Sequence, residues 1–236
     1  MKRIIAVAAV AAALLIAPAA AMAQPKAGTF SIIPRLGVTL AKITGDNVYM
    51  AGSNADIASV ANPKYKPGLM AGADLEYQAT DRLAISLGAY YSRQGEKYDD
   101  VTESHDASTK RWTEVTDWKQ HHDYMNIPLM ASAYVAQNFA VKVGVQMGIN
   151  TSARMEYTTA SFVRNDAGVA STEGIEKKKT DVKLKKTDFS IPVGISYEYM
   201  NVILDARYNI GLTKVYDNID GRNTVFTFNV GYRFGF

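Results

Sequence analysis

Taking every second residue from Phe226 to the C-terminus gives Phe226, Phe228, Val230, Tyr232, Phe234 and Phe236. The residues between them are Thr227, Asn229, Gly231, Arg233 and Gly235. A period of two places these sets on opposite faces of a strand, one wholly apolar and the other small or polar. The same alternation recurs along the chain and predicts eight strands, near 29–40, 68–77, 82–93, 122–135, 139–150, 188–199, 202–212 and 224–236. It is clearest over 139–150. There Phe139, Val141, Val143, Val145, Met147 and Ile149 alternate with Ala140, Lys142, Gly144, Gln146, Gly148 and Asn150.

The connections separate a soluble sandwich from a membrane barrel. Those at 78–81, 136–138 and 200–201 are tight hairpin turns, whereas 41–67, 94–121, 151–187 and 213–222 are long and polar. Short turns alternating with long loops over an even strand number is the layout of an outer-membrane barrel. The fold predicted is all-β, an eight-stranded antiparallel up-and-down transmembrane β-barrel with both termini in the periplasm. Apolar-face aromatics agree, gathering near strand ends as two interfacial girdles: Phe30, Tyr77, Phe139, Tyr197, Tyr199, Phe234 and Phe236 toward the turns, Tyr91, Phe189 and Phe226 toward the loops.

Charges inside the predicted strands fall on the opposite, inward face: Arg35, Asp74, Glu76, Lys142, Glu198, Asp205, Arg207 and Arg233. Four are basic and four acidic, and a barrel of this size is just wide enough to be filled by side chains. A paired ionic interior follows, hence a plugged barrel; an excess of one sign would have suggested an ion-selective path.

The amino terminus sets the compartment. Met1-Lys2-Arg3, an uncharged run from Ile4 to Ala17, and Ala21-Met22-Ala23 read as a signal peptide over 1–23, cleaved after Ala23, leaving a barrel domain over 24–236. No cysteine follows that site to take a lipid anchor, and with no cysteine anywhere there is no disulfide framework. Cleavage would remove Lys2 and Arg3, leaving 24 basic against 23 acidic side chains. That near-neutral balance gives no reason to expect nucleic acid as a partner.

The segment Asp123-Tyr-Met-Asn-Ile-Pro-Leu129, the similar Asp188-Phe-Ser-Ile-Pro-Val193 and the ending Tyr232-Arg-Phe-Gly-Phe236 resemble the PorT-like outer-membrane β-barrel family over about residues 29–236. The resemblance implies a small barrel in the Gram-negative outer membrane. It implies no single activity, although the founding group assists a secretion apparatus. Pro128 and Pro192 in these motifs lack a ladder donor, so each is expected at a bulge or where pairing is interrupted.

Candidate chemistry is sparse. His105, His121 and His122 lie in or beside the second long loop among carboxylates, but adjacent histidines on a strand point opposite ways, poor geometry for joint metal ligation. No nucleophile motif accompanies the serines, so we expect no enzyme, no metal and no cofactor. Trp112 and Trp118 suggest that the fourth strand continues above the membrane as a hairpin arm, where they would contact a partner or pack within it. Lys177, Lys178 and Lys179, with Lys183, Lys185 and Lys186, form a basic run suited to lipopolysaccharide phosphates or simply to a solvated face. The expected partners are outer-membrane lipid and lipopolysaccharide, the barrel-assembly machinery during biogenesis, and a protein or surface polymer at the loops. The leading expectation is a structural or interaction protein acting through those loops. A narrow channel comes second and a rim-active enzyme third.

Overall fold

The computed structural model describes residues 25–45, 48–50, 59–61, 63–106, 111–164, 170–217 and 220–236. Eight strands form a ring: β1 (Phe30–Gly45), β2 (Lys64–Thr80), β3 (Leu83–Lys97), β4 (Arg111–Ala136), β5 (Phe139–Arg164), β6 (Thr187–Tyr199), β7 (Val202–Gly211) and β8 (Gly221–Tyr232). Each pairs antiparallel with its neighbours in sequence. The ring closes where β1 meets β8, from Arg35↔Gly231 to Gly45↔Gly221. Phe234 and Gly235 prolong that seam along Ile32 and Ser31, and the Phe30 and Phe236 backbones exchange hydrogen bonds. Closure leaves no ladder edge facing lipid, the condition for β-structure to cross a bilayer.

Lipid accounts for the alternation. Outward side chains are apolar and exposed, among them Leu36, Leu69, Leu87, Leu129, Val143, Ile195 and Val230. The inward set is buried and mostly polar. At the turn end Phe30 lies 4.8 Å from Tyr77 and 6.3 Å from Phe236; at the loop end Phe226 lies 4.5 Å from Tyr208 and 5.8 Å from Tyr65 (ring centroids).

The short turns set the register of the strands they join. Met200 and Asn201 both take positive φ (49° and 65°), the hand that matches strand twist in a two-residue hairpin. At the β2–β3 turn the Thr80 hydroxyl accepts the N–H groups of Arg82 and Leu83. The four strand prolines keep one ladder and loosen the other. Pro128 pairs with Gln146 while the β3 ladder opens between Leu87 and Tyr90, and Pro192 pairs with Asn209 while the β5 ladder opens between Ser190 and Val193. Register is unchanged across both openings, so these prolines interrupt pairing without making a bulge. Pro34 keeps β2 and opens β8, and Pro67 lies within a true register shift between Tyr65 and Met70.

The fourth strand continues above the membrane as the arm that Trp112 and Trp118 suggest, and the long connections hold more strand than the alternation predicts: much of 94–121 and 151–187 is strand. β3 runs to Lys97, and β4 and β5 stay paired as far as Arg111↔Val163. Val101–Asp106 adds to β4 and Ala170–Asp181 adds to β5, giving a four-stranded sheet above the membrane. From Arg111 to Asp123 this is roughly 40 Å of strand at the usual rise per residue. Above the bilayer both faces can be polar, so the ladder continues where the period-two signal stops. In the first long connection, Val48–Met50 and Ser59–Ala61 pair as a small hairpin.

A barrel closed by this seam should resist detergent until heated. Unheated protein is expected to migrate differently from boiled protein in SDS gels, and equal mobility would count against closure.

Candidate functional site

The eight inward charges divide into two layers. In the middle of the barrel, Arg35 Nε lies 2.7 Å from Asp74 Oδ2, and Lys142 Nζ lies 3.0 Å from Asp205 Oδ2. Arg207 grips Asp205 with Nε at 2.6 Å and Nη2 at 3.2 Å. Asn229 bridges the layer, accepting from Arg35 Nη1 at 3.1 Å and donating to Asp205 Oδ1 at 3.1 Å. Nearer the turns, Arg233 donates Nε and Nη2 to the two oxygens of Glu198 at 2.9 and 3.0 Å, and Nη1 to Glu76 at 2.7 Å. Its Nη2 also reaches the Tyr134 hydroxyl at 3.2 Å. Three cations thus meet two carboxylates in the middle, and one cation meets two below. The layers balance each other.

Room for this network is made by glycines. A Cβ on Gly88 would fall 2.4 Å from Asp74 Oδ1 and 2.6 Å from the Tyr90 ring; one on Gly72 would fall 2.6 Å from the same ring. Their absent side chains let Tyr90 lie across the lumen, where Arg207 stands 5.8 Å from its centroid. Above lies a cavity of about 20 Å³ bordered by Thr39, Tyr90, Gln94, Asn126, Gln146 and Arg207, enough for about one water.

A second polar cluster, above the apolar band, caps the lumen. Glu96 is fully buried and accepts hydrogen bonds from the Tyr98 hydroxyl, from the Ile43 N–H at 3.1 Å and from Tyr216 at 3.5 Å. Tyr216 comes from the last external connection and also donates to Gln120 Oε1 at 2.9 Å. Beside it Val215 is buried, its N–H bonded to Gly221 O. Tyr98 stacks on Trp118 at 3.9 Å, with Met155 and Tyr157 packed against the pair. Burial raises the Glu96 pKa against the lowering effect of its three donors. Burial, then Lys66 and His121, lowers His122 to about 3.

Alternation that starts at Gly68 and stops at Arg93 leaves out Lys66 and Glu96, and Tyr216 falls in a predicted loop; His122, read as one of three loop histidines, is buried on the inward face. Extending the inward series Ser86, Gly88, Tyr90 and Ser92 two steps further reaches Gln94 and Glu96. Nothing in the sequence marks Tyr216, which arrives from a loop. Trp118 requires a correction. It is 3% exposed, so it anchors the arm to the cap and is no surface for a partner. Trp112 is half-buried and pairs across the sheet with Phe162 and Ser104. Lys177, Lys178 and Lys179 are exposed on the outer sheet, Lys178 3.5 Å from Glu176 and Lys179 2.7 Å from Glu156. His121 faces outward, 3.9 Å from Glu156, and His122 faces inward; the side chain of His105 lies outside the described residues. Among the described residues no three His, Asp or Glu side chains converge to hold a metal ion.

Charge counting orders the mutants. Lys142→Met leaves two cations with two carboxylates in the middle layer, so its cost should be small. Asp205→Asn strands three cations on one carboxylate and should cost about 3–5 kcal/mol, read from urea unfolding in lipid vesicles. Equal costs would refute the pairing scheme.

The cap has its own pH signature. The folded Glu96 pKa lies above its ordinary value of 4.5, so its contribution is full below 4.5 and is lost as pH rises through the folded value. His122 works in the opposite sense, contributing fully above 6.5 and losing its share as pH falls toward about 3. Because the two groups oppose each other between pH 4.5 and 6.5, the test compares variants: above pH 4.5 the protection of the Ile43 amide against hydrogen exchange should fall more, or rise less, in the wild type than in Glu96→Gln. Identical pH profiles for the two would remove Glu96 from this role.

Comparison with known proteins gives the family. No curated protein matches the chain. Among solved structures, Ail, the attachment invasion locus protein of Yersinia pestis, is 15% identical, with 89% of this chain and 100% of that one covered and a TM-score of 0.38. Neisserial surface protein A is 14% identical, with 86% and 97% covered and a TM-score of 0.43. OprG from Pseudomonas aeruginosa is 10% identical, with 91% and 99% covered and a TM-score of 0.38. A family profile described as outer membrane protein beta-barrel domain matches residues 22–217, most of the chain. The chain belongs to that family and is a β-barrel protein of the outer membrane.

Proposed function

We propose that this protein works as an interaction protein, presenting its four-stranded external sheet to a partner protein or surface polymer while the barrel anchors it. The observation that carries this reading is the contrast between the two ends of β4 and β5. Within the bilayer these strands wall a lumen filled by paired charges. Beyond it they stay paired, with a register shift between Thr116 and Lys119, for about as long again. A rigid sheet of this length is costly to order and contributes little to closing a barrel, so its use lies in what it holds out into the medium. Trp112 and the exposed Lys177, Lys178 and Lys179 are its candidate contacts. The PorT-like motifs around Pro128 and Pro192 support a partner within a larger membrane or secretion assembly. Residues 1–23, as a signal peptide cleaved after Ala23, supply the route of export.

The reading is tested by placing a photo-crosslinking residue at Trp112, at Lys178 or at lipid-facing Val143 in intact cells. A discrete heavier species from the two sheet positions and none from Val143 is the expected result. In parallel, the mature protein in a planar bilayer should stay electrically silent. Reproducible conductance steps with no crosslinked species would put a narrow channel in first place.

A further inference from the structure

We infer that the outer wall of β6, β7, β8 and β1 carries a binding site for one phosphorylated, multiply acylated glycolipid of the external leaflet. The argument starts from strand register. Reading upward toward the loops, one level holds Ile195, Ala206 and Phe228, and the next holds Val193, Tyr208, Phe226 and Leu40. The next level holds Ile210, Thr224 and Lys42, and the last pairs Arg222 with Thr44. Ala206 is the short member of its level. Flanked by Ile195 and Phe228, it leaves a slot in the lipid-facing wall, an apolar groove of about 460 Å³ with Tyr208 at its upper end. Tyr208 also borders the next groove up, again about 460 Å³, which is half polar and lined by Thr44, Ile210, Arg222 and Thr224.

The two grooves form one track, hydrocarbon below and headgroup above, joined at an aromatic side chain. The charge at its upper end has one sign in excess. Asp220 is shared by Arg222 at 3.7 Å and Lys214 at 3.4 Å, while Lys42 lies 4.8 Å over the ring of Tyr65 and adds a third cation. Thr44 and Thr224 stand between them with their hydroxyls bonded to each other at 2.8 Å and Thr44 turned also to Arg222 O, so they border the site while the cations make it. Cations at the headgroup level are what a phosphate takes, and a basic residue there is tolerated by the bilayer. An acyl chain lying in the Ala206 slot gives the contact its register. Because the track sits at the loop end, its occupant belongs to the external leaflet, where the phosphate-bearing lipid of such a membrane is a glycolipid. This site is independent of the partner-binding role given to the external sheet.

The test uses the mature barrel in phosphatidylcholine vesicles doped either with bisphosphorylated lipid A or with phosphatidylglycerol, followed by native mass spectrometry of the extracted protein. Lipid A is expected to stay bound at one copy. Lys42→Gln with Arg222→Gln should lower its retention about tenfold, the scale of a lost charge-assisted contact. Ala206→Phe, which fills the slot from the lipid side, should do the same while keeping the heat-dependent gel shift of a closed barrel. Undiminished retention in both variants would overturn the site. Equal retention of phosphatidylglycerol would overturn its assignment to the glycolipid.

Discussion

Inside a ring of eight strands there is width for side chains and almost none for water, so any charge placed there must find its counter-charge in the protein. That constraint organises the molecule. Arg35 on β1 meets Asp74 on β2 and Asn229 on β8, and Arg233, just beyond β8, meets Glu76 on β2 and Glu198 on β6. Two of these bonds, Arg35 to Asn229 and Arg233 to Glu76, cross the seam where β1 meets β8, so groups that fill the lumen also hold the ring shut. Breaking the ionic layers would loosen the barrel as well as open it. Glycines at 72 and 88 belong to the same arrangement, since without them Tyr90 would have no place beside Arg207.

Above the bilayer the constraint changes. Water can satisfy backbone and side chains on either face, and strands no longer need an apolar exterior. Here the protein spends its sequence on height, with β4 and β5 flanked by two further strands, and on sealing the top of the lumen. The seal draws on four separate elements: Ile43 from β1, Glu96 from β3, Gln120 from β4 and Tyr216 from the last loop. Glu96 is held here by hydroxyl and amide donors rather than by a cation, and burial raises its pKa against their effect. The seal therefore differs in kind from the ionic layers beneath it. Two different chemistries close one tube, and an interior built this way favours a role carried on the outside.

The parts legible in the sequence are those that lipid enforces. Val141, Val143 and Val145 must face hydrocarbon and Lys142 must not, so alternation locates the strand and the inward charge together. Legibility ends where lipid does. Through 94–121 and 151–187 alternation marks no strand because neither face is required to be apolar, and only Trp112 and Trp118 hint at the arm that continues β4. Trp118 shows the limit at a single residue. A register shift between Thr116 and Lys119, with Asp117 at φ 56°, inserts an extra residue into β4 and puts Val115 and Trp118 on the same inner face. An exposed tryptophan in a polar stretch and a buried one after a bulge look alike in sequence. Tyr216 was beyond reach for another reason, since its partners are fixed only by how the last loop folds over the rim.

The circular order of the strands adds a final consequence. Around a ring of eight, β4 lies opposite β8 and β5 lies opposite β1. The external sheet rises from β4 and β5, while the Ala206 slot and the basic track above it lie on β7, β8 and β1. One side of the barrel therefore carries the projecting sheet, and the other carries the wall suited to a tightly held lipid. A sheet standing on one side of a narrow barrel exerts leverage on it whenever a partner pulls. The lipid we infer on the far side would resist that tilt at the level where the lever arm begins. On that reading the asymmetry of the outer surface and the balance of the interior would serve one end, a small barrel that stays closed and upright beneath a tall external sheet.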